Sequence, residues 1–167
     1  MLPSDHFVRF YNEVFKFLEA QGPGHLEKYW LEISRHQERH CLELFKEKGL
    51  QGMYDYWEHI RIEENCDMTL NLSDDCLTLK MNKCPSLSKV LDNDATPSKR
   101  YCDHCAGWII PVIDKAGYYC VTAPNKPDVP TCEWWIYADK TKAQAKIQEL
   151  RNKNIKFKSN VGKGFKG

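Results

Sequence analysis

The stretch Met68-Thr69-Leu70-Asn71-Leu72-Ser73-Asp74-Asp75-Cys76-Leu77-Thr78-Leu79-Lys80-Met81 changes the hydrophobic period of the chain. Met68, Leu70 and Leu72 alternate with polar residues, as do Leu77, Leu79 and Met81, and a period of two places each set on one face of a strand. Ser73, Asp74 and Asp75 lie between the two runs and supply a turn, so the segment reads as a β-hairpin.

Upstream of the hairpin the period is helical. Phe7, Phe10, Tyr11, Val14, Phe15, Phe17 and Leu18 recur along one helix, with Ser4 or Asp5 placed to cap it and Gln21-Gly22-Pro23-Gly24 to stop it. A second helix over residues 25 to 48 buries Leu26, Tyr29, Trp30, Ile33, Cys41, Leu44 and Phe45, and Gly49 marks its end. Residues 50 to 64 fit a helix through Met53, Tyr54, Trp57 and Ile60 but a strand through Tyr56, Glu58, Ile60 and Ile62; helix is the reading adopted.

Downstream, Cys84-Pro85-Ser86 opens a short helix, because proline suits a first helical turn, and residues 92 to 97 form the loop after it. A helix over residues 98 to 115, strands at 118 to 123 and 132 to 137, and a helix capped by Asp139 and running to about Arg151 complete the order. This order predicts an α+β fold. An N-terminal helical pair packs with a small antiparallel sheet of two hairpins, a central cysteine-bearing helix and a C-terminal helix, with the helices on one side of the sheet. One domain spans residues 1–151, and residues 152–167 read as a basic, mobile tail.

The net charge of +1 hides an asymmetry. Residues 140 to 167 hold nine Lys or Arg against one Glu, leaving 15 basic and 22 acidic residues in the rest of the chain. The tail could touch RNA or phosphate weakly, but a solvated end is the simpler reading, and nucleic acid is not the expected partner. Neither G-x-G-x-x-G nor G-x-x-x-x-G-K-[ST] occurs, which argues against nucleotide chemistry. No stretch approaches the roughly eighteen apolar residues of a membrane span, and Met1 to His6 lack the pattern of a signal peptide, so the expected location is the cytoplasm, with no membrane partner.

There are eight cysteines. In a reducing compartment these point to metal or thiol chemistry rather than to a disulfide framework. In Tyr101-Cys102-Asp103-His104-Cys105 the C-x-x-C spacing sets two thiols on one turn, as many zinc sites begin. Cys84, held at a turn by Pro85, and Cys132, at the start of the last strand, are the candidates to complete a four-sulfur site; zinc is the expected ion and iron the alternative. Cys41, Cys66, Cys76 and Cys120 are read as small apolar filler. His104 is a general acid or base, an outer hydrogen-bond donor to the site, or a surface residue.

Other features carry less. His36 and His40 share a helical face in H-x-E-x-H spacing and are read as packed or half-exposed. His59, Glu63 and Glu64 receive no role. Trp108, Tyr118, Tyr119, Trp134, Trp135 and Tyr137 flank the cysteines in sequence and are candidates for a pocket wall or simply core.

The order Lys83-Cys84-Pro85, then Tyr101-Cys102-Asp103-His104-Cys105, then Gly117 and Cys132-Glu133-Trp134 resembles the L-2-amino-thiazoline-4-carboxylic acid hydrolase-like family over residues 50 to 138. The resemblance implies hydrolysis of a small cyclic C–N or C–S substrate, with Cys84, Cys102 and Cys132 at the matched positions; His104-Cys105 departs from that family's pattern. The expected function is therefore a small cysteine- or metal-dependent hydrolase acting on a small molecule. In it Cys102 or Cys105 is nucleophile or ligand, His104 moves protons, and Cys84 and Cys132 complete the site. A non-enzymatic zinc-binding module is the alternative. A dithiol redox protein cycling a Cys102–Cys105 disulfide is the third.

Overall fold

The structure, a computed structural model, describes residues 3–92, 96–124 and 129–162; parts of the two loops expected after the short helix and before the last strand, and the end of the basic segment, lie outside them. The elements run α1 (Pro3–Ala20), α2 (His25–Glu63), β1 (Asp67–Leu72), β2 (Cys76–Lys83), α3 (Pro85–Asp92), α4 (Asp103–Lys115), β3 (Tyr119–Pro124), β4 (Cys132–Tyr137), α5 (Lys140–Asn152) and β5 (Lys158–Ser159). The fold is α+β. Among the described residues, no helix is long and apolar enough to cross a membrane.

The expected helices at 25 to 48 and 50 to 64 are two arms of α2 meeting at Gly49, whose φ of 57° and ψ of −136° are not helical. Glycine reaches that conformation without the steric penalty a side chain would add. Tyr118 packs so near that a Cβ at position 49 would stand 2.4 Å from its hydroxyl oxygen. The kink lets both arms follow the sheet, and Phe45, Met53 and Trp57 enter one core with Leu77, Leu79, Ile110, Ile113, Trp134 and Ile136.

All strand pairings are antiparallel, in the order β1-β2-β4-β3-β5. The two hairpins join through β2 and β4, with Met81 opposite Cys132 and Leu79 opposite Trp134. Alternation then divides the sheet. Leu77, Leu79, Cys120, Trp134 and Ile136 face α2 and α4, while Val121, Ala123 and Tyr137 face Ala143, Ile147 and Leu150 of α5. The helices are thus not all on one side as the element order suggested: α5 covers the second face. Its N-terminus matches expectation, with the Asp139 carboxylate accepting the amides of Thr141 at 2.6 Å and Lys142 at 3.1 Å.

The helix expected from residue 98 begins instead at Asp103, because α1 holds the preceding segment in an irregular path. The buried Asn12 donates to the Thr96 carbonyl at 3.0 Å and accepts the Ser98 amide at 2.8 Å, and the Ser98 hydroxyl donates to Glu19 at 2.8 Å. The segment after α5, expected as a free tail, is exposed over residues 153 to 156 but docked from Phe157 to Val161. Lys158 and Ser159 pair with β3, and buried Asn160 accepts the Cys120 amide and donates to Asp114 and the Tyr118 carbonyl.

Helix α4 lies close against α2 because Gly107 has no side chain: a Cβ there would stand 2.9 Å from Trp30 Cβ and about 3 Å from the indole ring. Alanine in a helix interior is normally worth up to about 1 kcal/mol over glycine, but forcing two helices apart in a packed core costs about 1–3 kcal/mol. Gly107→Ala is therefore expected to lower the unfolding free energy in urea titrations. A gain would show that α4 is free to shift away from α2.

Candidate functional site

Three changes of direction in the chain meet at one place. Strand β2 ends at Lys83 and Cys84 turns the chain into α3; Cys102 precedes α4, whose first turn carries His104 and Cys105; Cys132 opens β4. All four candidate cysteines line one cavity, with Leu87, Tyr101, Ala106, Thr122, Pro124 and Trp134 among its walls and Lys158 at its edge. It measures about 40 Å³. By the space one water needs, on the order of 10–15 Å³, it holds a small group without movement of its walls.

The four thiols are free and half-buried. Burial, followed by the proximity of Cys84 and then Asp103, pushes Cys102 up to about 11 despite Lys158 nearby. Cys132 is also pushed up to about 11, chiefly by burial, with Cys84 and Cys102 adding to the rise and a hydrogen bond from Trp134 opposing it. Cys105 is raised well above the ordinary thiol value by burial and then by Cys84, Cys132 and Cys102. At neutral pH these three are uncharged.

His104 is buried among aromatic rings, with its ring centroid 5.4 Å from that of Phe15, 5.0 Å from Tyr101 and 4.6 Å from Trp108. Its Nδ1 meets the Tyr101 carbonyl, which can only accept, so Nδ1 carries the proton and Nε2 keeps its lone pair. That lone pair lies 3.2 Å from Cys105 Sγ and accepts its S–H. Burial lowers the imidazole to about 4, against the raising effects of the Tyr101 carbonyl and Asp103. A carbonyl, an imidazole and a thiol in series are the elements of an oriented base and its nucleophile.

The N-terminus of α4 is tethered on both sides. Asp103 pairs with Arg100 at 3.2 Å and Lys158 at 2.6 Å; Arg100 also meets Glu27 and lies over the Trp30 ring. The Tyr101 hydroxyl shares a 2.6 Å hydrogen bond with Ser86 at the start of α3.

Sulfur donors suit zinc or iron. Among the described residues, however, no group of three or more His, Cys, Asp or Glu is arranged to hold a metal ion. Lining one cavity is a looser condition than coordination. His36 and His40 are exposed on α2 and do not line the cavity. Cys41 and Cys120 are buried in the core as expected. Cys66, read as filler, instead lies near Cys84: burial raises its thiol, with Glu64 and then Cys84 adding to the rise. Of the aromatic candidates Trp134 walls the cavity and Trp108 packs on His104, whereas Tyr119, Trp135 and Tyr137 belong to the α5 side.

Lys158 and Thr122 had no local signal in the sequence, since both reach the cavity through strand pairing. Comparison with family models, with curated proteins and with solved structures finds no match to this chain.

His104 gives the fold an acid-side dependence. Its folded value of about 4 lies below its ordinary 6.5, so between the two the unfolded chain binds the extra proton. Stability is fully present above about pH 6.5 and falls towards pH 4, by about 3 kcal/mol in all. In His104→Gln this component is absent, so the urea midpoint should fall less between pH 7 and 4.5 than in the wild type. Equal falls would place the dependence elsewhere.

Proposed function

We propose that this protein is a thiol-dependent hydrolase of small molecules, cleaving a C–N or C–S bond with Cys105 as nucleophile and His104 as general base. One observation carries the reading: the Tyr101 carbonyl fixes the His104 tautomer and aims Nε2 at the Cys105 thiol on the wall of a small, largely apolar cavity. The resemblance around Cys84, Cys102 and Cys132 supports the same reaction class. A cytoplasmic location, where thiols stay reduced, fits a site built from free cysteines.

Because thiol and imidazole are both uncharged at rest, the nucleophile forms only during attack. Sγ bonds to the electrophilic carbon as its proton passes to Nε2, and the departing nitrogen or sulfur takes that proton as its bond to carbon breaks. Water then adds to the S-acyl or S-imidoyl carbon, giving up a proton to Nε2, and Sγ leaves with a proton returned from the imidazolium. Cys84, Cys102 and Cys132 shape the cavity without entering the bond changes.

Para-nitrophenyl acetate is a suitable first probe, because an acylated thiol is visible both as a burst of nitrophenolate and as an adduct in peptide mapping. The adduct is expected on Cys105, with the burst rate reduced about a hundredfold or more in Cys105→Ser and in His104→Gln, the magnitude usual for a positioned base. Acylation confined to other cysteines would overturn the assignment. About one zinc or iron per chain, lost in a Cys102→Ser, Cys105→Ser double variant, would replace it with the metal-binding reading.

A further inference from the structure

Cys84 differs from Cys105 and His104 in where its reactive atom lies. It occupies the cap position of the eight-residue helix α3, with Pro85 at the first helical position, and its Sγ accepts the Leu87 amide at 3.4 Å. The sulfur therefore faces the first turn of α3, where a backbone N–H meets it. The backbone is fixed there as well: the Cys84 amide donates to the Pro130 carbonyl at 2.6 Å and the Cys84 carbonyl accepts the Ser88 amide at 3.0 Å.

Cys84 is also the shared neighbour of the cluster. Its thiol lies near those of Cys102, Cys105 and Cys132, and near that of Cys66 too. Of the three that line the cavity with it, Cys105 is engaged by His104 and Cys132 by Trp134. Cys102 caps no amide of α4 and has the Lys158 ammonium near it, a cation that eases loss of its proton.

We propose that Cys84 is an oxidation site for hydroperoxides and that Cys102, on the same cavity wall, converts the oxidised residue to a Cys84–Cys102 disulfide. In the first step the Cys84 thiolate attacks the peroxide. The O–O bond breaks, sulfur gives up two electrons and becomes a sulfenic acid, and the other oxygen takes a proton and leaves as an alcohol or as water. In the second step Cys102 sulfur attacks that of Cys84, the S–O bond breaks, and the hydroxyl leaves as water with the proton from Cys102. The bridge crosses the cavity and removes two of its four thiols. This chemistry needs only the positions of the sulfurs and is independent of hydrolysis at Cys105.

The test is peptide mapping of the full chain, reduced, freed of reductant and treated with hydrogen peroxide, without reduction before digestion and with dimedone present in a parallel sample. A Cys84–Cys102 cross-linked peptide is expected from the wild type, a result that depends on no variant folding. In Cys102→Ser the dimedone adduct on Cys84 should rise severalfold, and in Cys84→Ser the Cys102 thiol should stay reduced. A Cys102–Cys105 disulfide with Cys84 unmodified, preferential labelling of Cys66 or Cys105, or a Cys84 bridge to Cys132 would each overturn the proposal.

Discussion

The antiparallel register of β2 on β4 is the constraint on which the site depends. Pairing Met81 with Cys132 sets the exit of one strand beside the entry of the other, and the Cys84 amide closes on the Pro130 carbonyl where the ladder ends. A slip of one residue would leave the two strands facing opposite ways, turning either Leu77 and Leu79 out of the core or Cys132 to the α5 face. Helix α4 delivers the remaining thiols to the same corner because Gly107 lets it lie against Trp30, while Asn12 holds the segment leading into it. The cavity therefore follows from sheet register and one close helix contact.

Its electrostatic character follows from that placement. Thiols brought together beneath apolar walls cannot share negative charge, so burial and mutual repulsion keep Cys102, Cys105 and Cys132 protonated. His104, enclosed by aromatic rings, is kept neutral by the same lack of solvation. The chemistry open to such a site is proton transfer along a fixed line from Cys105 to His104. At Cys84 the sulfur instead meets the first turn of α3 through the Leu87 amide.

Much of the fold was legible because its signals are local. Alternation from Met68 to Met81 gave the first hairpin, Cys84-Pro85 the start of α3, and Asp139 the cap of α5. Cys84, Cys102, Cys105 and Cys132 were legible as candidates from C-x-x-C spacing and from their places at element ends, and all four line the cavity. What could not be read is long-range. The delayed start of α4 depends on Asn12, some ninety positions upstream. The docking of Lys158 depends on β3, the move of α5 to the second face on how the sheet divides, and the nearness of Cys66 to Cys84 on the turn entering β1. No short window of sequence contains both partners of any of these contacts.

The most direct test of the account is a crystal structure of the reduced protein with sulfur positions fixed by anomalous scattering. The sulfurs of Cys84, Cys102, Cys105 and Cys132 are predicted to border one cavity, with Cys105 Sγ within hydrogen-bonding distance of His104 Nε2. A β2–β4 register that carries Cys132 to the α5 face, or a His104 ring turned away from Cys105, would contradict it.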